Sequence, residues 1–591
     1  MSSETQSRYI IGIDLGTTNS SLSYVDTHAD EPKVQLLKIP QVIAPGEIEA
    51  LDSLPSFLYL ADENTTASGQ VKMPWQEDSS FCAGLHARKI ASAQPSRVAS
   101  SAKSWLCAPG QDPTADYLPA DEQAERKVSP VNALSAYLRH LSAAWNEQMD
   151  ESIDSQDLIL TVPASFNALA RELTVLAAEE AGLNPILLEE PQAAFYSWIR
   201  ENEGNWRELV EEDSNILVVD IGGGTTDFSL IGINNEDGNM NLQRAAVGNH
   251  LLLGGDNMDF TLAYAMQQKL RTRLNTRQFT SLVHICRQAK ETLLSADAPE
   301  QVDITVLGAG SSLIGGTLKT ALNQEEVDRY IFQGFLPECS LEDKAQNDAR
   351  SGLRSFGLNF ESDAAITRHL AEFITKNCPD KTPSTILFNG GVTRATQLRE
   401  RLGNILASWS GKEISVLSGT DPDLAVASGA AWYGFVRRGN SIRIKAGSAL
   451  SYYIGLESNM PAVPGFAPPV DAICVIPSGT EDGTSLAVPV EDLALLIGED
   501  SQFRFFCSND RKEDQLGSIV MDADLDLSEL PALHKNLKVS DEQDSSSRLV
   551  PVELEAIFTE IGTVQVWGKE KQGEGKWRLE FDLQDGSGAT E

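Results

Sequence analysis

The 591-residue chain has no apolar run that approaches the roughly 18 residues a membrane-spanning helix needs. Its first residues, MSSETQSRY, are polar. The seven cysteines are odd in number, scattered and never spaced as Cys-x-x-Cys, which argues against a disulfide framework and a zinc site. We therefore expect a cytoplasmic protein in a reducing compartment, with no membrane partner.

Positive charge is also scarce, since 47 Lys and Arg residues face 85 Asp and Glu residues, a formal net charge of -38. With no basic patch to offset it, such a chain repels a nucleic-acid backbone, and we expect no nucleic-acid partner. The seven histidines never cluster in sequence. This spacing argues against a metal site or a catalytic triad, and we expect each histidine to serve packing or to lie at the surface.

The length predicts about two to four domains, and the 41% hydrophobic and 22% charged content is ordinary for folded protein. One pattern of strand, aspartate, glycine turn and strand occurs twice, at Tyr9–Thr18 and at Ile216–Thr226. The two aspartates, Asp14 and Asp220, are 206 positions apart, by subtracting 14 from 220. A repeat at this distance predicts two related lobes and not a short-period solenoid.

The periodicity between and after these turns alternates between helix and strand, which is typical of a mixed α/β domain. From about Gly447 it changes to short runs with apolar residues at every second position, as in Val552, Leu554, Ala556 and Phe558, which predict a mainly β region. The individual predictions are helices at 130–149, 167–182, 256–274, 278–294, 396–406 and 421–437, strands at 157–162, 384–388 and 577–583, and loops at 461–469 and 540–548.

Glycine and small hydroxyl residues fill both repeated turns, at Gly16-Thr17-Thr18 and at Gly222-Gly223-Gly224-Thr225. Backbone N–H groups in such turns can cradle phosphate because side chains are absent. Neither turn has the P-loop pattern or enters a helix as a dinucleotide fingerprint does. The preceding aspartates, face to face, could hold Mg²⁺ through waters against polyphosphate oxygens; the alternative is two ordinary hairpins with turn-forming aspartates.

Eight motifs give the turns a context: DLGTTNS at 14–20, TVPASF at 161–166, AGLN at 181–184, EPQAA at 190–194, DIGGGTTD at 220–227, LGGDNMD at 253–259, GGVTR at 390–394 and DPDLAVASGAA at 421–431. In their order and approximate spacing, the chain resembles the nucleotide-binding domain of Hsp70 (DnaK-like) chaperones. The resemblance implies an actin-like, two-lobed ATPase domain over 1–436, with lobes at about 8–205 and 206–436. It further implies a linker at 437–446 and a β-rich substrate- or partner-binding domain at 447–591, in a divergent member that lacks the family's C-terminal helical lid.

The resemblance also implies ATP and Mg²⁺ as cofactors, with slow hydrolysis of the ATP. Asp14 and Asp220 match positions on the metal side of the site. Glu190, Thr225 and Asp227 match positions that act on the phosphate and the attacking water. The positions matched to nucleotide binding are Gly16, Thr17, Thr18, Gly222, Gly223, Gly224, Gly254, Gly255, Lys290, Gly390, Gly391, Arg394 and Asp423.

Two parts of the pattern depart from the family. Spacing from Gly84 and Pro95 places Arg88 where the family usually has a catalytic lysine. A guanidinium can neutralise phosphate, but its planar fork differs in reach from an ammonium. In the adenine clamp, Arg287 stands where Glu is usual and Glu291 where Arg is usual. Arg287, one turn earlier, could supply the stacking guanidinium from another angle.

These features favour an Hsp70-like, ATP-dependent chaperone whose nucleotide state controls the binding of unfolded peptide or of a specific protein client, with co-chaperones as further partners. One alternative is a nucleotide-gated adaptor whose β region docks a single folded partner. Another is an actin-like assembly protein, which the bulky β region argues against. A small-molecule kinase on the same lobes would need an acceptor pocket and a base, and the sequence has no motif for either.

Overall fold

The computed structural model describes residues 7–76, 80–108, 111–121, 123–202, 205–211, 214–236, 239–307, 317–346, 361–379, 382–438, 444–445, 448, 450–456, 470–481, 484–490, 493–497, 500–536, 548–559, 564–571, 573 and 575–579. The chain divides into two compact units. One comprises Met1–Ala164 with Leu173–Ile444, and the other comprises Ser165–Glu172 with Lys445–Glu591. The first unit contains both predicted lobes except Ser165–Glu172, which the predicted first lobe includes and the structure groups with the second unit.

The first lobe is built on one mixed sheet with smaller hairpins beside it. Its strands are β1 (Tyr9–Leu15), β2 (Asn19–Asp26), β3 (Val34–Leu36), β4 (Ile39–Ala44), β5 (Glu47–Leu51), β6 (Leu54–Pro55), β7 (Phe57–Leu60), β8 (Phe81–Ala83), β9 (Val98–Ser100), β10 (Asp157–Val162) and β11 (Ile186–Glu189). Its helices are α1 (Glu63–Ser68), α2 (Leu85–Ile90), α3 (Pro130–Gln148), α4 (Ala168–Glu180) and α5 (Glu190–Glu201). The main sheet has the order β11-β10-β1-β2-β3.

The second lobe repeats this plan. Its strands are β12 (Ser214–Ile221), β13 (Thr226–Glu236), β14 (Asn239–Val247), β15 (Gln301–Val306), β16 (Leu318–Asn323), β17 (Thr385–Asn389), β18 (Ser415–Leu417) and β19 (Ile444–Lys445). Its helices are α6 (Gly255–Leu270), α7 (Thr276–Leu293), α8 (Gln324–Val327), α9 (Gln333–Phe335), α10 (Ile366–Asn377), α11 (Thr396–Ser410) and α12 (Ala425–Arg438). The main sheet has the order β18-β17-β12-β13-β14-β19.

The two sheets confirm that the repeated sequence pattern marks two related lobes. In each, an antiparallel hairpin carries a glycine turn, β1 with β2 and β12 with β13. A parallel strand lies beside the first strand of each hairpin, β10 beside β1 and β17 beside β12. Strand β1 reads YIIGIDL and is almost completely buried, as expected for a strand covered on both faces. The hairpin turns therefore start from rigid strands.

Helix α12 differs from the prediction that assigns it to the second lobe alone. A Cβ built on Gly12 of β1 would overlap the backbone of Ala427 and Ala431, so this helix lies directly on the first sheet. On the same helix, Val426 shares a core with Ile216 of β12 in the second sheet. The helix therefore packs against both lobes, and helix α5 contributes to the same core.

The other predicted elements are confirmed with small shifts at their ends. Helix α12 begins at Ala425 and not at Asp421, and residues 422–424 before it form a turn. Within the predicted linker, α12 continues to Arg438 and Ile444–Lys445 forms β19 beside β14, so its described residues are helix and strand. The loop predicted at 461–469 and residues 540–547 of the other loop lie outside the described residues, as do residues 580–583 of the last predicted strand.

The second unit is mainly β, as predicted. Its elements are β20 (Ser451–Leu456), β21 (Asp471–Ile476), β22 (Thr484–Ala487), β23 (Ala494–Ile497), β24 (Asp500–Ser508), β25 (Ile519–Val520), α13 (Ala523–Asp526), β26 (Ser528–Asn536), β27 (Arg548–Phe558), β28 (Val564–Glu570) and β29 (Lys576–Arg578). One sheet has the order β25-β21-β20-β24-β26 and the other β22-β27-β28-β29, with β23 also paired to β27. Val552, Leu554, Ala556 and Phe558 of β27 are all buried, which confirms the period-two pattern.

Candidate functional site

Both glycine turns face a cavity of about 640 Å³ in the first unit, which residues of the two lobes line together. Among the described residues, the predicted positions Gly224, Asp227 and Gly254 do not line it. The predicted positions that do are Asp14, Gly16, Thr17, Thr18, Arg88, Glu190, Asp220, Gly222, Gly223, Thr225, Gly255, Lys290, Gly390, Gly391, Arg394 and Asp423.

The cavity wall is packed so closely that some of its glycine positions exclude a side chain. A Cβ on Gly223, in the second turn, would overlap Thr18 Oγ1 of the first turn. Gly390 has a φ of +83°, and a Cβ there would overlap Asp220 Oδ1. Helix α6 begins in the wall at Gly255 and adds the partial positive charge of its N-terminus. These backbone segments can approach the oxygens of a polyphosphate.

Four ionisable side chains come together between the turns. Asp14 lies near the end of β1, Asp220 lies near the end of β12, and Glu190 begins α5. Lys103 comes from the 3₁₀ helix Ala102–Cys107, is 4% exposed, and places its Nζ 2.5 Å from Glu190 Oε1. The sequence analysis missed this lysine, although it stands in a short segment with the apolar Trp105 and Leu106, where an unpaired lysine would be costly to bury.

The electrostatics of this group show a shortage of positive charge. Burial and the nearby charge of Glu190 raise the pKa of Asp14 to about 7, although Lys103 opposes the shift. The same two causes raise the pKa of Asp220 well above its usual value. Burial lowers the pKa of Lys103, but the attraction of Glu190 and Asp14 outweighs it, so the pKa is raised and the ammonium stays charged. The ammonium group of Lys103 is therefore a single positive charge close to three carboxylates.

A divalent cation fits this donor set. It would add positive charge next to Asp14 and Asp220, whose raised pKa values show that too little positive charge is present. Within the described part of the chain, no group of three or more His, Cys, Asp or Glu side chains is arranged to hold a metal by itself. Asp14 and Asp220 would therefore hold Mg²⁺ in company with water and phosphate oxygens, which is the usual mode of this ion.

The structure differs from the prediction for Arg88. Its Nη2 lies 2.8 and 2.7 Å from the two carboxylate oxygens of Glu291, an ion pair that joins α2 of the first lobe to α7 of the second. The cation against Glu190 is Lys103 instead. Counting residues from Gly84 selected Arg88, whereas the basic residue that contacts Glu190 is Lys103.

The part of the cavity that was predicted to bind adenine also differs from the prediction. Arg287 is 11% exposed, its Nε donates to Asp259 Oδ2 at 2.6 Å, and it pairs with Asp256 as well. Two carboxylates thus hold the guanidinium that we expected to stack on adenine. Lys290 lies 2.7 Å from the same Asp259, and Arg394 pairs with Asp423 while remaining 63% exposed. Arg394 is therefore the more accessible of the two guanidinium groups.

One buried histidine contacts a predicted site residue. The Nδ1 atom of His250 lies 3.1 Å from Oδ1 of Asp227, a predicted catalytic residue, and both side chains are about nine-tenths buried. Their separation of 23 positions in sequence gave no signal for this contact.

The described residues include no helix that is long and apolar enough to cross a bilayer.

The chain matches a family model and is similar to curated bacterial proteins. The family model described as "Hsp70 protein" matches residues 10–330, more than half of the chain. A "Chaperone protein HscA homolog" of Acinetobacter baumannii is 28% identical over 338 residues, which cover 55% of this chain and 48% of the relative. A protein of the same name from Aliivibrio fischeri is 26% identical over 312 residues, covering 49% and 43%. The chain therefore spans about half the length of the curated relatives it matches.

Proposed function

Because the chain belongs to the Hsp70 family and has its actin-like, two-lobed fold, we propose that it binds ATP with Mg²⁺ in the cavity between the lobes and hydrolyses the ATP slowly. The nucleotide state would in turn control the binding of unfolded peptide, or of a protein client, by the mainly β second unit, with co-chaperones as partners. The observation that carries the proposal is the buried Lys103–Glu190 pair, set among the carboxylates of Asp14 and Asp220 where the two glycine turns meet.

The backbone N–H groups and the charged side chains of the site have different roles in this proposal. The glycine turns and the start of α6 bind the phosphate chain through backbone N–H groups. Bound Mg²⁺ would supply the positive charge that the phosphate oxygens and carboxylates lack. Lys103 neutralises Glu190, and Glu190 orients the attacking water, with Thr225 beside the phosphate. Phosphoryl transfer needs such positioning and charge stabilisation more than covalent help, so this set of residues suffices.

The direct test is phosphate release from ATP by the purified chain, with and without Mg²⁺. We expect turnover that depends on Mg²⁺ and needs no added acceptor molecule. Turnover only in the presence of a small-molecule acceptor would indicate a kinase, and sedimentation of the protein as polymer on adding ATP would indicate an assembly protein. No turnover and no nucleotide binding by calorimetric titration would contradict the proposal.

The role of the second unit needs its own experiment. The full chain is mixed with a fluorescent unfolded peptide, and release of the peptide is followed after mixing with ATP or ADP. A chaperone should bind the peptide and release it at rates that depend on the nucleotide. If the peptide does not bind while ATP is hydrolysed, the second unit is a docking surface for one folded partner, and the protein is a nucleotide-gated adaptor.

A further inference from the structure

His250 is a buried ionisable side chain with no role in the proposed binding and hydrolysis of ATP. It follows β14 and precedes Gly254–Gly255, in the segment that leads to helix α6. Its Nδ1 lies 3.1 Å from Asp227 Oδ1, and the two side chains are 10% and 8% exposed. A carboxylate oxygen only accepts hydrogen bonds, so the Nδ1 atom must carry the proton in this contact.

The backbone holds the two residues opposite each other. On one side of the pair, Thr226 N donates to Leu251 O at 3.0 Å and Leu251 N donates to Thr226 O at 3.3 Å. On the other side, Gly248 N donates to Phe228 O at 2.8 Å. The segment that carries His250 is therefore paired with β13 on both sides of Asp227. The fold therefore places the two residues next to each other.

Asp227 does not line the cavity, but it lies beside a residue that does. In the hairpin of β12 and β13 it is the cross-strand partner of Asp220, and its charge contributes to the raised pKa of Asp220. A buried carboxylate at this point needs a fixed donor, because its orientation decides how its charge acts on the neighbouring metal-side carboxylate. An N–H donor on Oδ1 fixes that orientation and leaves Oδ2 for other contacts.

We propose that His250 is a positioning residue for nucleotide hydrolysis, which acts by fixing the carboxylate of Asp227 opposite Asp220. The inference rests on the proposed ATPase function, and it concerns the hydrolysis step and not the binding of ATP. His250 does not line the cavity among the described residues, so it acts through Asp227 and not by touching the nucleotide.

Two amide variants separate a positioning role from a packing role. In His250→Asn the side-chain NH₂ occupies the place of the imidazole Nδ1, whereas in His250→Gln it reaches the place of Nε2. Both variants are polar and similar in size, so both are expected to fold. We expect His250→Asn to keep most of the single-turnover rate and His250→Gln to lose about tenfold or more, with an unchanged Kd for ATP, as for outer residues that orient functional groups.

A matched control is His140→Asn, which alters another buried histidine whose Nε2 lies 2.9 Å from the carbonyl oxygen of Pro40. We expect this variant to lower thermal stability without changing the hydrolysis rate. A double-mutant cycle completes the test, since His250→Gln should have little further effect in the background of Asp227→Asn if it acts through that carboxylate.

The outcomes distinguish this inference from the proposed function. If the unaltered protein does not hydrolyse Mg-ATP, the proposed function fails. If the unaltered protein turns over but both His250 variants have the same rate, the inference alone is overturned. It is also overturned if His250→Gln changes the Kd and not the rate, or if its effect persists undiminished in Asp227→Asn.

Discussion

Replacing Lys103 by methionine tests the centre of the proposed site. Methionine keeps the length of the side chain and removes its charge, so the cavity is not emptied. Lys103 is 4% exposed and bonded to Glu190, and its charge lowers the pKa of Asp14. The matched variant Arg88→Met removes the basic residue that the sequence predicted for this role, which is bound to Glu291 instead.

The two variants should differ strongly in rate. A buried charge aimed at the reacting groups is worth about 10²–10³-fold in kcat when it is removed, roughly 2.7–4 kcal/mol. The Arg88–Glu291 pair is partly solvated, since Glu291 is 51% exposed, and such pairs contribute about 0–1 kcal/mol to stability. Even an effect of that full size on the barrier to hydrolysis would change kcat by at most about fivefold. We expect Lys103→Met to fall near the first figure and Arg88→Met near the second.

Single-turnover phosphate release, with protein in excess over ATP, measures the chemical step in both variants. Without Lys103 the pKa of Asp14 should rise above about 7, so more Asp14 is protonated at neutral pH and Mg²⁺ binds less well. Part of the lost rate should therefore return between pH 7 and pH 8.5 at high Mg²⁺. A rate for Lys103→Met within a few-fold of the unaltered protein, or a larger loss in Arg88→Met, would refute the assignment of Lys103.

Three further predictions follow from the same group of carboxylates. Asp14→Asn and Asp220→Asn should each abolish Mg²⁺-dependent hydrolysis while the circular dichroism spectrum stays unchanged, because each removes a charge needed by the cation; unchanged turnover in both would exclude the metal site. Glu190→Gln should bind ATP with similar affinity in a calorimetric titration but hydrolyse it about 10²-fold more slowly, since an amide cannot orient water as a carboxylate does; weaker binding with an unchanged rate would contradict this role. The pKa of Asp14 is raised from 3.8 to about 7, so between these values the folded protein keeps a proton that the unfolded chain loses. The free energy of unfolding without nucleotide should therefore fall as pH rises from about 4 to 7. The fall from this group alone should be on the order of 4 kcal/mol. Urea denaturation at pH 5 and pH 8 covers about 3 kcal/mol of this fall, and a flat profile would show that the pKa is not raised.

Local sequence patterns predicted most of the fold. The two hairpins were predictable because strands such as β1 and β12 are continuous apolar runs that end at an aspartate and a glycine turn. Helix α3 was predictable from its period and begins at Pro130, after a Ser129 side chain that accepts from Asn132 N. These signals involve residues within one turn or one strand of each other, which a single sequence shows directly.

Contacts between distant segments were not predictable in this way. Periodicity shows that α12 has a buried face but not which sheet it covers, and Gly12 in β1 is a weak sign that a helix backbone passes there. The contact of His250 with Asp227 depends on the backbone pairing of Thr226 with Leu251, which has no marker in the residue types. Burial of Arg287 between Asp256 and Asp259 is set by the neighbouring helices α6 and α7.

The choice between Arg88 and Lys103 shows why a position inferred from spacing is weaker than one inferred from burial. Both residues are basic and both line the cavity, so residue type and cavity position do not separate them. The difference lies in desolvation: a charge 4% exposed is held in place only if its partner stabilises it, and Glu190 does so at 2.5 Å. Arg88 satisfies its charge on Glu291 across the lobes, where either partner can turn to solvent. If hydrolysis depends on a desolvated charge, the rate must therefore follow Lys103, and the effect of Arg88 must decrease as salt screens its exposed pair.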